Sequence, residues 1–277
     1  MFIKNLQKNG FVSVPYPSKL RLAVMKAERS WEAFCSLPIE VKRKFSYSNS
    51  GAGVGYEIKD GSGQNGDIKE NFDIALSDVV WLESCMRSLT ENTLVARKFV
   101  EDALALVEVM KPFVFRFASE VEKGFGLNGF EAEIEEGSRF FFVRFIHYPP
   151  QKKKGESIAQ AHLDQSGMTF HFFESSPGLE CLTYEGRWIP MSVSKKQTVI
   201  IPDMQLQLKS KGKLRALWHR VVATTKTAKQ GRYSAVSFIQ FQKTQKYNKE
   251  KYGRLQEKEP GFNYDMRPEE FSGLFKK

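Results

Sequence analysis

Residues 162–173 read HLDQSGMTFHFF, and this stretch predicts both a strand and a metal site. Side chains two apart on a strand project from the same face, so His162 and Asp164 would aim an imidazole and a carboxylate at one point. A second histidine from another strand would complete a 2-His-1-carboxylate facial triad, the iron(II) site that leaves coordination positions open. An H-x-D triplet alone is weak, because a half-buried His beside an Asp acceptor is commoner than a metal site.

Two segments further along the chain strengthen the metal-site hypothesis. His219 lies in a strand-like segment and is the candidate third ligand. Arg232 and Ser234 open an apolar strand and share a face by the same period of two. A guanidinium fork beside a hydroxyl suits a carboxylate ligand. An edge-strand arginine paired with a surface acid is the alternative for Arg232.

The order of predicted elements places helices first and strands second. The pattern predicts a short strand over 11–14, a helix over 18–36 that ends at Leu37-Pro38, and a long helix over 89–125. The Gly-, Ser- and Asn-rich residues 46–67 predict a long loop. We therefore expect an α+β fold with a mainly β core, a jelly roll (double-stranded β-helix) with an N-terminal strand and helix region and flanking helices. The predicted core strands are 138–148, 162–173, 179–184, 198–201, 219–223 and 233–241, with a hairpin turn at Glu185-Gly186.

Composition narrows the class of protein. The 277 residues are 41% hydrophobic and include 23 Phe, enough for a sizeable core. Long apolar runs and a signal-peptide pattern are absent, so we expect a soluble, cytoplasmic protein without a membrane partner. Cys35, Cys85 and Cys181 are widely spaced and predict neither a zinc knuckle nor a disulfide framework. The net charge of +10 comes from loops and the C-terminal segment, which favours solvated surface over a nucleic-acid interface.

An ordered series of motifs resembles the isopenicillin N synthase-like family of iron(II) and 2-oxoglutarate-dependent oxidoreductases. Residues 162–170 are similar to its H-T-D-x-S/G-x-L-T signature, with Leu163 in place of the usual Thr. Ile146 stands where many members have Asn, and the interval from His219 to Arg232 is longer than typical. The other matching segments are Asn9-Gly10-Phe11-Val12, Leu37-Pro38 with Lys42, Gly55-Tyr56, 67–72, Ile146-His147-Tyr148-Pro149, Pro177-Gly178-Leu179-Glu180, Gly186-Arg187-Trp188, Trp218-His219-Arg220-Val221 and Arg232-Tyr233-Ser234.

The resemblance implies roles for particular residues. His162, Asp164 and His219 would bind Fe(II), while Arg232, Ser234 and Tyr148 would hold the distal carboxylate of 2-oxoglutarate. Arg144 and Phe142 would share the Tyr148 face and could contact substrate, although a structural salt bridge is the alternative for Arg144. The remaining histidines, His147 and His171, fall out of phase with these residues along their predicted strands, and we expect neither to be a ligand.

The resemblance also implies an activity and a domain organisation. The chain would oxidise a small organic molecule with O2 and 2-oxoglutarate, releasing succinate and CO2, and ascorbate is a candidate reductant. Residues 1–277 would form a single dioxygenase domain, with a helical region to about 130, a β core over about 135–241 and a charged segment over 242–277. Three alternatives stay open: a same-fold iron oxidase that does not use 2-oxoglutarate, a non-catalytic binding module, and a nucleic-acid demethylase. The sequence leaves the oligomeric state and the substrate open.

Overall fold

The computed structural model describes residues 2–50, 54–62, 67–89, 93–150, 153–164 and 166–240. The charged segment over 242–277 lies outside these residues. None of the helices in the described ranges combines the length and apolar character needed to cross a lipid bilayer.

Nine α-helices and eleven strands make up the described part of the chain. The helices are α1 (Phe2–Asn9), α2 (Ser18–Cys35), α3 (Ile39–Arg43), α4 (Tyr47–Ser50), α5 (Val79–Arg87), α6 (Thr93–Phe125), α7 (Phe130–Glu136), α8 (Met204–Lys209) and α9 (Thr225–Gln230). The strands are β1 (Val12–Pro15), β2 (Gly55–Asp60), β3 (Ile68–Ala75), β4 (Phe142–Tyr148), β5 (Ser157–His162), β6 (Met168–Glu174), β7 (Leu179–Leu182), β8 (Trp188–Pro190), β9 (Gln197–Pro202), β10 (His219–Val222) and β11 (Arg232–Ile239).

The strands form two antiparallel sheets that face each other. The large sheet has the order β1-β9-β6-β11-β4-β3-β2, and the small sheet has the order β5-β10-β7-β8. Buried side chains from both sheets, among them Ile146 and Val236 of the large sheet and Leu179 and Val221 of the small one, pack into one cluster. This arrangement confirms the predicted α+β fold with a jelly-roll core. We call the face of the large sheet that is turned toward the small sheet its inner face.

The outer face of the large sheet is covered by helices. Helices α2 and α6 pack on it through an aromatic cluster in which Trp31, Phe34 and Phe99 meet Phe72 and Phe145 of the sheet. All five side chains are fully buried. Each aromatic ring brings a large apolar area, so this layer supplies much of the burial that stabilises the fold.

The loop prediction over 46–67 is wrong for most of the described residues in that range. Residues of this stretch form α4 and β2, and β2 pairs with β3 in full register from Gly55↔Asp73 to Asp60↔Ile68. Polar residues occupy the inner face of this hairpin, including Glu57, Lys69 and Asn71. Tyr56 and Ile58 alternate with Glu57 and Lys59 along β2, but Gly-, Ser- and Asn-rich residues flank this short strand, and their composition predicts a loop.

The predicted strand over 162–173 is also wrong in one respect. Strand β5 ends at His162, the chain turns, and β6 begins at Met168. Gly167 donates its N–H to the carbonyl of Ile239 over 2.7 Å, and the N–H of Asp203 donates to the carbonyl of Gly167, which pins the turn to two neighbouring elements. Similarly, Gly137–Phe140 forms a 3₁₀ turn, so the strand expected from 138 begins at Phe142.

Candidate functional site

The three predicted metal ligands converge where the sheets meet. His162 ends β5 and His219 begins β10, and the two residues pair directly across the small sheet. Asp164 lies in the turn after β5. Its Oδ1 is 3.6 Å from Nε2 of His162, and its Oδ2 is 3.5 Å from Nε2 of His219. One ligand atom from each residue lies within 4.8 Å of the others, a spacing compatible with a shared metal ion.

Hydrogen bonds fix both imidazoles in the tautomer that a metal needs. Nδ1 of His162 donates to the carbonyl of Gln160 over 2.7 Å, and Nδ1 of His219 donates to the carbonyl of Leu217 over 3.1 Å. With the proton on Nδ1, the Nε2 lone pair is free for coordination. Burial, with His162 nearby, lowers the pKa of His219 to about 4, so its ring is neutral at physiological pH. These donors fit Fe(II).

A buried polar cluster holds the third ligand. The hydroxyl of Thr169 lies 2.8 Å from Oδ2 of Asp164 and 2.9 Å from Oδ2 of Asp203. Burial and the neighbouring Asp164 raise the pKa of Asp203 well above its usual range, which favours the neutral form of this carboxyl. Burial acts to raise the pKa of Asp164 as well, but His219, His162 and Thr169 outweigh it and hold that pKa below its ordinary value. Asp164 therefore stays an anion, as a metal ligand must.

The three predicted ligands differ in their access to solvent. The side chain of His162 is 40% exposed, that of Asp164 10% and that of His219 4%. The site is thus open beside His162 and closed beside His219.

Arg232 and Ser234 lie together on the inner face, both 3% exposed. Nη1 of Arg232 donates to Oγ of Ser234 over 3.0 Å, and Nε donates to the carbonyl of Ser176 over 3.1 Å. Nη2 donates to Oε2 of Glu174 over 2.7 Å. A guanidinium has five N–H donors, so described residues leave two of them available to a ligand.

The partner of Arg232 differs from both sequence expectations. Strand β11 is internal to the large sheet, so Arg232 is not an edge-strand residue, and its acid is buried. Burial raises the pKa of Glu174 against the opposing effect of Arg232. A carboxylate ligand would therefore share the arginine with a carboxyl group that the protein already supplies.

The other predicted contact residues line the same inner face. Tyr148 pairs with Arg232, Arg144 with Val236 and Phe142 with Phe238 along β4 and β11. Arg144 donates twice to Asp73, from Nε over 2.7 Å and from Nη2 over 2.6 Å. The salt-bridge alternative for Arg144 is thus present, and it leaves the Arg144 side chain 35% exposed.

The two histidines outside the triad lie on opposite sides of the large sheet. His147 is on the outer face, where it contacts Glu70 and stacks on Tyr233. His171 lies on the inner face, with its ring centre 5.9 Å from that of His219. The phase argument for His171 was wrong, because the turn after Asp164 breaks the strand and resets which residues face inward.

A second group with metal-ligand chemistry lies on the outer face. Cys35, Glu70 and His147 bring their donor atoms within 4.8 Å of one another. However, Oε2 of Glu70 accepts from Lys42 over 2.7 Å and from Tyr56 over 2.5 Å. The buried ammonium would repel a cation, so we interpret this group as a structural junction. The triad remains the better metal site.

Comparison with known proteins agrees with this geometry. Residues 138–241, which carry all three triad residues and Arg232, match the family model of the 2OG-Fe(II) oxygenase superfamily. Over that stretch the chain is similar to this superfamily. Among curated relatives, 1-aminocyclopropane-1-carboxylate oxidase of Musa acuminata is 27% identical over 180 residues, 61% of this chain and 54% of the relative. The chain thus spans about half the length of that relative.

Solved structures share the fold of this chain. A Neurospora crassa protein, solved in complex with alpha-KG and 5-formyluracil, has a TM-score of 0.70 at 20% identity, covering 87% of this chain and 77% of that one. AtDAO1, the dioxygenase for auxin oxidation 1 of Arabidopsis thaliana, in complex with 2-oxoglutarate, has a TM-score of 0.70 at 17% identity, covering 88% of both chains.

Several residues of the site were not predicted from sequence. Asp203 supports Thr169, Glu174 contacts Arg232, and Asp73 contacts Arg144. Acidic residues are common in surface loops and at strand ends, so the sequence does not mark these three. Only the register of the sheets shows which residue each one contacts.

Proposed function

We propose that this chain is a non-haem Fe(II) dioxygenase that oxidises a small organic molecule with O2 and 2-oxoglutarate, releasing succinate and CO2. The observation that carries the proposal is the convergence of His162, Asp164 and His219, with Nδ1 of both imidazoles bonded to a carbonyl and an anionic carboxylate between them. Bound iron would supply oxygen activation coupled to decarboxylation of the oxo acid.

The chain's own residues would bind and orient the reactants. Arg232 and Ser234 would take the distal carboxylate of 2-oxoglutarate, aided by Tyr148, which pairs with Arg232 on the adjacent strand. Phe142 and Arg144, further along the same face, would border the substrate. The inner cluster of apolar side chains from both sheets would exclude water from the reaction.

The ion pair between Arg232 and Glu174 favours one competing function. Because Glu174 already neutralises the guanidinium, a same-fold iron oxidase that does not use 2-oxoglutarate is the second candidate. Oxygen consumption that is independent of 2-oxoglutarate would identify it.

The decisive experiment is an anaerobic titration of metal-free protein with Fe(II), then with 2-oxoglutarate, followed by the visible absorption of the chelate. We expect one equivalent of iron and a band that saturates, and we expect His219→Ala to abolish both. Iron binding without the band would favour the oxidase. Folded protein that binds no iron would refute the triad assignment.

We also infer a cytoplasmic location. Support comes from the cysteines, which the structure describes as free thiols at positions 35, 85 and 181. Fractionation of the source cells, with detection by antibody, tests this inference.

A further inference from the structure

Strand β6 connects the metal triad to Arg232 along the inner face. Thr169 and Glu174 pair with Phe238 and Ser234 of β11, and both project inward. Thr169 contacts Asp164 at the metal end, and Glu174 contacts Arg232 at the other end. Between them lies His171, which pairs with Val236 and projects from the same face because a bulge follows it.

The ring of His171 is buried without a hydrogen-bond partner at Nε2. The residue is 7% exposed, and Nε2 contacts no donor or acceptor among the described residues. A buried polar group that lacks a partner costs stability, so such groups in native proteins normally meet a ligand, an ion or water. Nothing else on the inner face of β6 has this property among the residues described.

We propose that Nε2–H of His171 donates a hydrogen bond to the bound 2-oxoglutarate, making His171 a co-substrate-binding residue between the metal and Arg232. The inference rests on the proposed function. An oxo acid that reaches from the triad to Arg232 must pass His171, because the three inward positions of β6 lie in that order. Carboxylate oxygens only accept hydrogen bonds, so the imidazole must be the donor.

The guanidinium of Arg232 and a metal ion at the triad would both be positive charges near the His171 ring. A neutral imidazole can donate from one nitrogen without adding a third positive group beside the metal and Arg232. His171 would not compete for the iron, because the predicted ligands lie at the end of β5, in the turn after β5 and at the start of β10.

The test compares His171→Leu with His171→Gln in protein loaded with Zn(II), a redox-inert substitute for Fe(II). Gln can place an N–H near the position of Nε2, and Leu cannot. Titration calorimetry would measure Zn(II) binding first and 2-oxoglutarate binding second. His147→Gln is the matched control, because His147 is the other histidine outside the triad and lies on the outer face.

We expect His171→Leu to bind one Zn(II) and to weaken 2-oxoglutarate binding about tenfold, or about 1.4 kcal/mol. His171→Gln should stay within about threefold of wild type, and His147→Gln should match wild type. Unchanged 2-oxoglutarate affinity in His171→Leu, or loss of Zn(II) binding by this variant, would overturn the inference about His171 but not the proposed function. Absence of 2-oxoglutarate binding in the wild type would overturn the proposed function as well.

A spectroscopic measurement keeps the inference testable if His171→Leu does not fold. The chain has 4 His, so a sample labelled with ¹⁵N-histidine gives a small, assignable spectrum. Adding 2-oxoglutarate to the Zn(II) protein should move the His171 Nε2–H proton resonance downfield and leave His147 unchanged. An unmoved His171 resonance at saturating 2-oxoglutarate would contradict the proposed hydrogen bond.

Discussion

At the scale of single residues, Glu174 controls how strongly Arg232 can bind an anion. The carboxyl and the guanidinium are 2.7 Å apart and almost fully buried. In Glu174→Gln the positive charge of Arg232 is no longer neutralised, although the amide oxygen can still accept from Nη2. We expect 2-oxoglutarate to bind at least tenfold more tightly, a change of about 1.4 kcal/mol measurable by titration calorimetry.

The same residue predicts a pH dependence whose sign follows from its raised pKa. As pH falls, protonation of Glu174 begins at a higher pH than for an ordinary glutamate, and it releases the charge of Arg232. Affinity for 2-oxoglutarate should therefore rise toward lower pH in the wild type and stay flat in Glu174→Gln. Glu180→Gln, which breaks the 2.8 Å Arg220–Glu180 pair, is the control. Weaker binding by Glu174→Gln would instead mean that Glu174 positions Arg232 for the ligand.

The sequence identified the site residues that stand in a recognisable motif. It missed the residues whose role depends on the neighbour that they contact. His162, Asp164, His219, Arg232 and Ser234 stand in recognisable spacings, and the structure brings them together in two groups. Asp203 and Glu174 carry no comparable pattern, because an acid becomes informative only when burial and a neighbour define its charge. The assignment of these residues to iron and 2-oxoglutarate stays a prediction until ligands are measured.

At the scale of elements, the carboxylate of Glu70 joins α3, β2 and β4. It accepts from Lys42, Tyr56 and His147, and these contacts outweigh burial to lower its pKa to about 2. A lowered pKa stabilises the fold above the ordinary value of 4.5, and that stability is lost as pH falls toward 2. The difference corresponds to roughly 3 kcal/mol.

We therefore expect Glu70→Gln to lower the free energy of unfolding at pH 7 by roughly 3 kcal/mol. The gap between variant and wild type should close in urea titrations between pH 4.5 and 2, the interval that the pKa change defines. Glu108→Gln, which removes an exposed partner of Lys111, should change stability by less than about 1 kcal/mol. Parallel pH curves for wild type and Glu70→Gln would contradict this account.

Gly178 permits the close crossing of β7 and β10. Its φ is +143°, and a Cβ there would lie 2.3 Å from the carbonyl oxygen of Val222. Gly178→Ala should displace β10, which carries His219, lowering the free energy of unfolding by more than about 2 kcal/mol and weakening metal binding. Urea denaturation and Fe(II) titration measure the two effects.

Gly186 is the matched control for Gly178. Its φ is +82°, but a Cβ there would contact nothing within 4 Å. Gly186→Ala should therefore lower the free energy of unfolding by only about 1 kcal/mol, because of the left-handed backbone, and it should leave metal binding unchanged. Equal losses in the two variants would show that backbone conformation, and not the crossing at β10, sets the cost.

Elements were predictable where one face is polar and the other is apolar. Helix α2 and strand β7 follow that rule and were predicted close to their observed bounds. The hairpin of β2 and β3 also alternates, with Glu57 and Asn71 on its inner face and Tyr56 and Phe72 buried on the outer face. Strand β2 was missed because the Gly-, Ser- and Asn-rich sequence that flanks its six residues predicts a loop.

At the scale of the whole molecule, the N-terminal and C-terminal halves form one packing unit. The region predicted as helical also supplies β1, β2 and β3, three of the seven strands in the large sheet. Helices α2 and α6 then cover the outer face of that sheet. We propose that the single-domain prediction holds and that unfolding is cooperative across both halves.

A fragment of residues 135–241 tests this proposal. It would lack three strands and expose Phe145, Phe170 and Phe172, which are fully buried in the chain. We expect it to aggregate or to bind the dye ANS, with no cooperative thermal transition by circular dichroism, whereas the full chain melts once. A soluble fragment with a sharp transition would show that the β core folds independently.

The unequal exposure of the three triad residues has a kinetic consequence for the lifetime of a bound metal ion. A bound ion would leave by losing its contacts in sequence, and the 40% exposed His162 is the one predicted ligand that could swing into solvent without disturbing the buried cluster. The carbonyl of Leu217 anchors the side chain of His219, and Thr169 of β6 anchors that of Asp164. Exchange with chelators should therefore proceed through an intermediate held by His219 and Asp164, and the mobility of one side chain would set how long the protein keeps its metal.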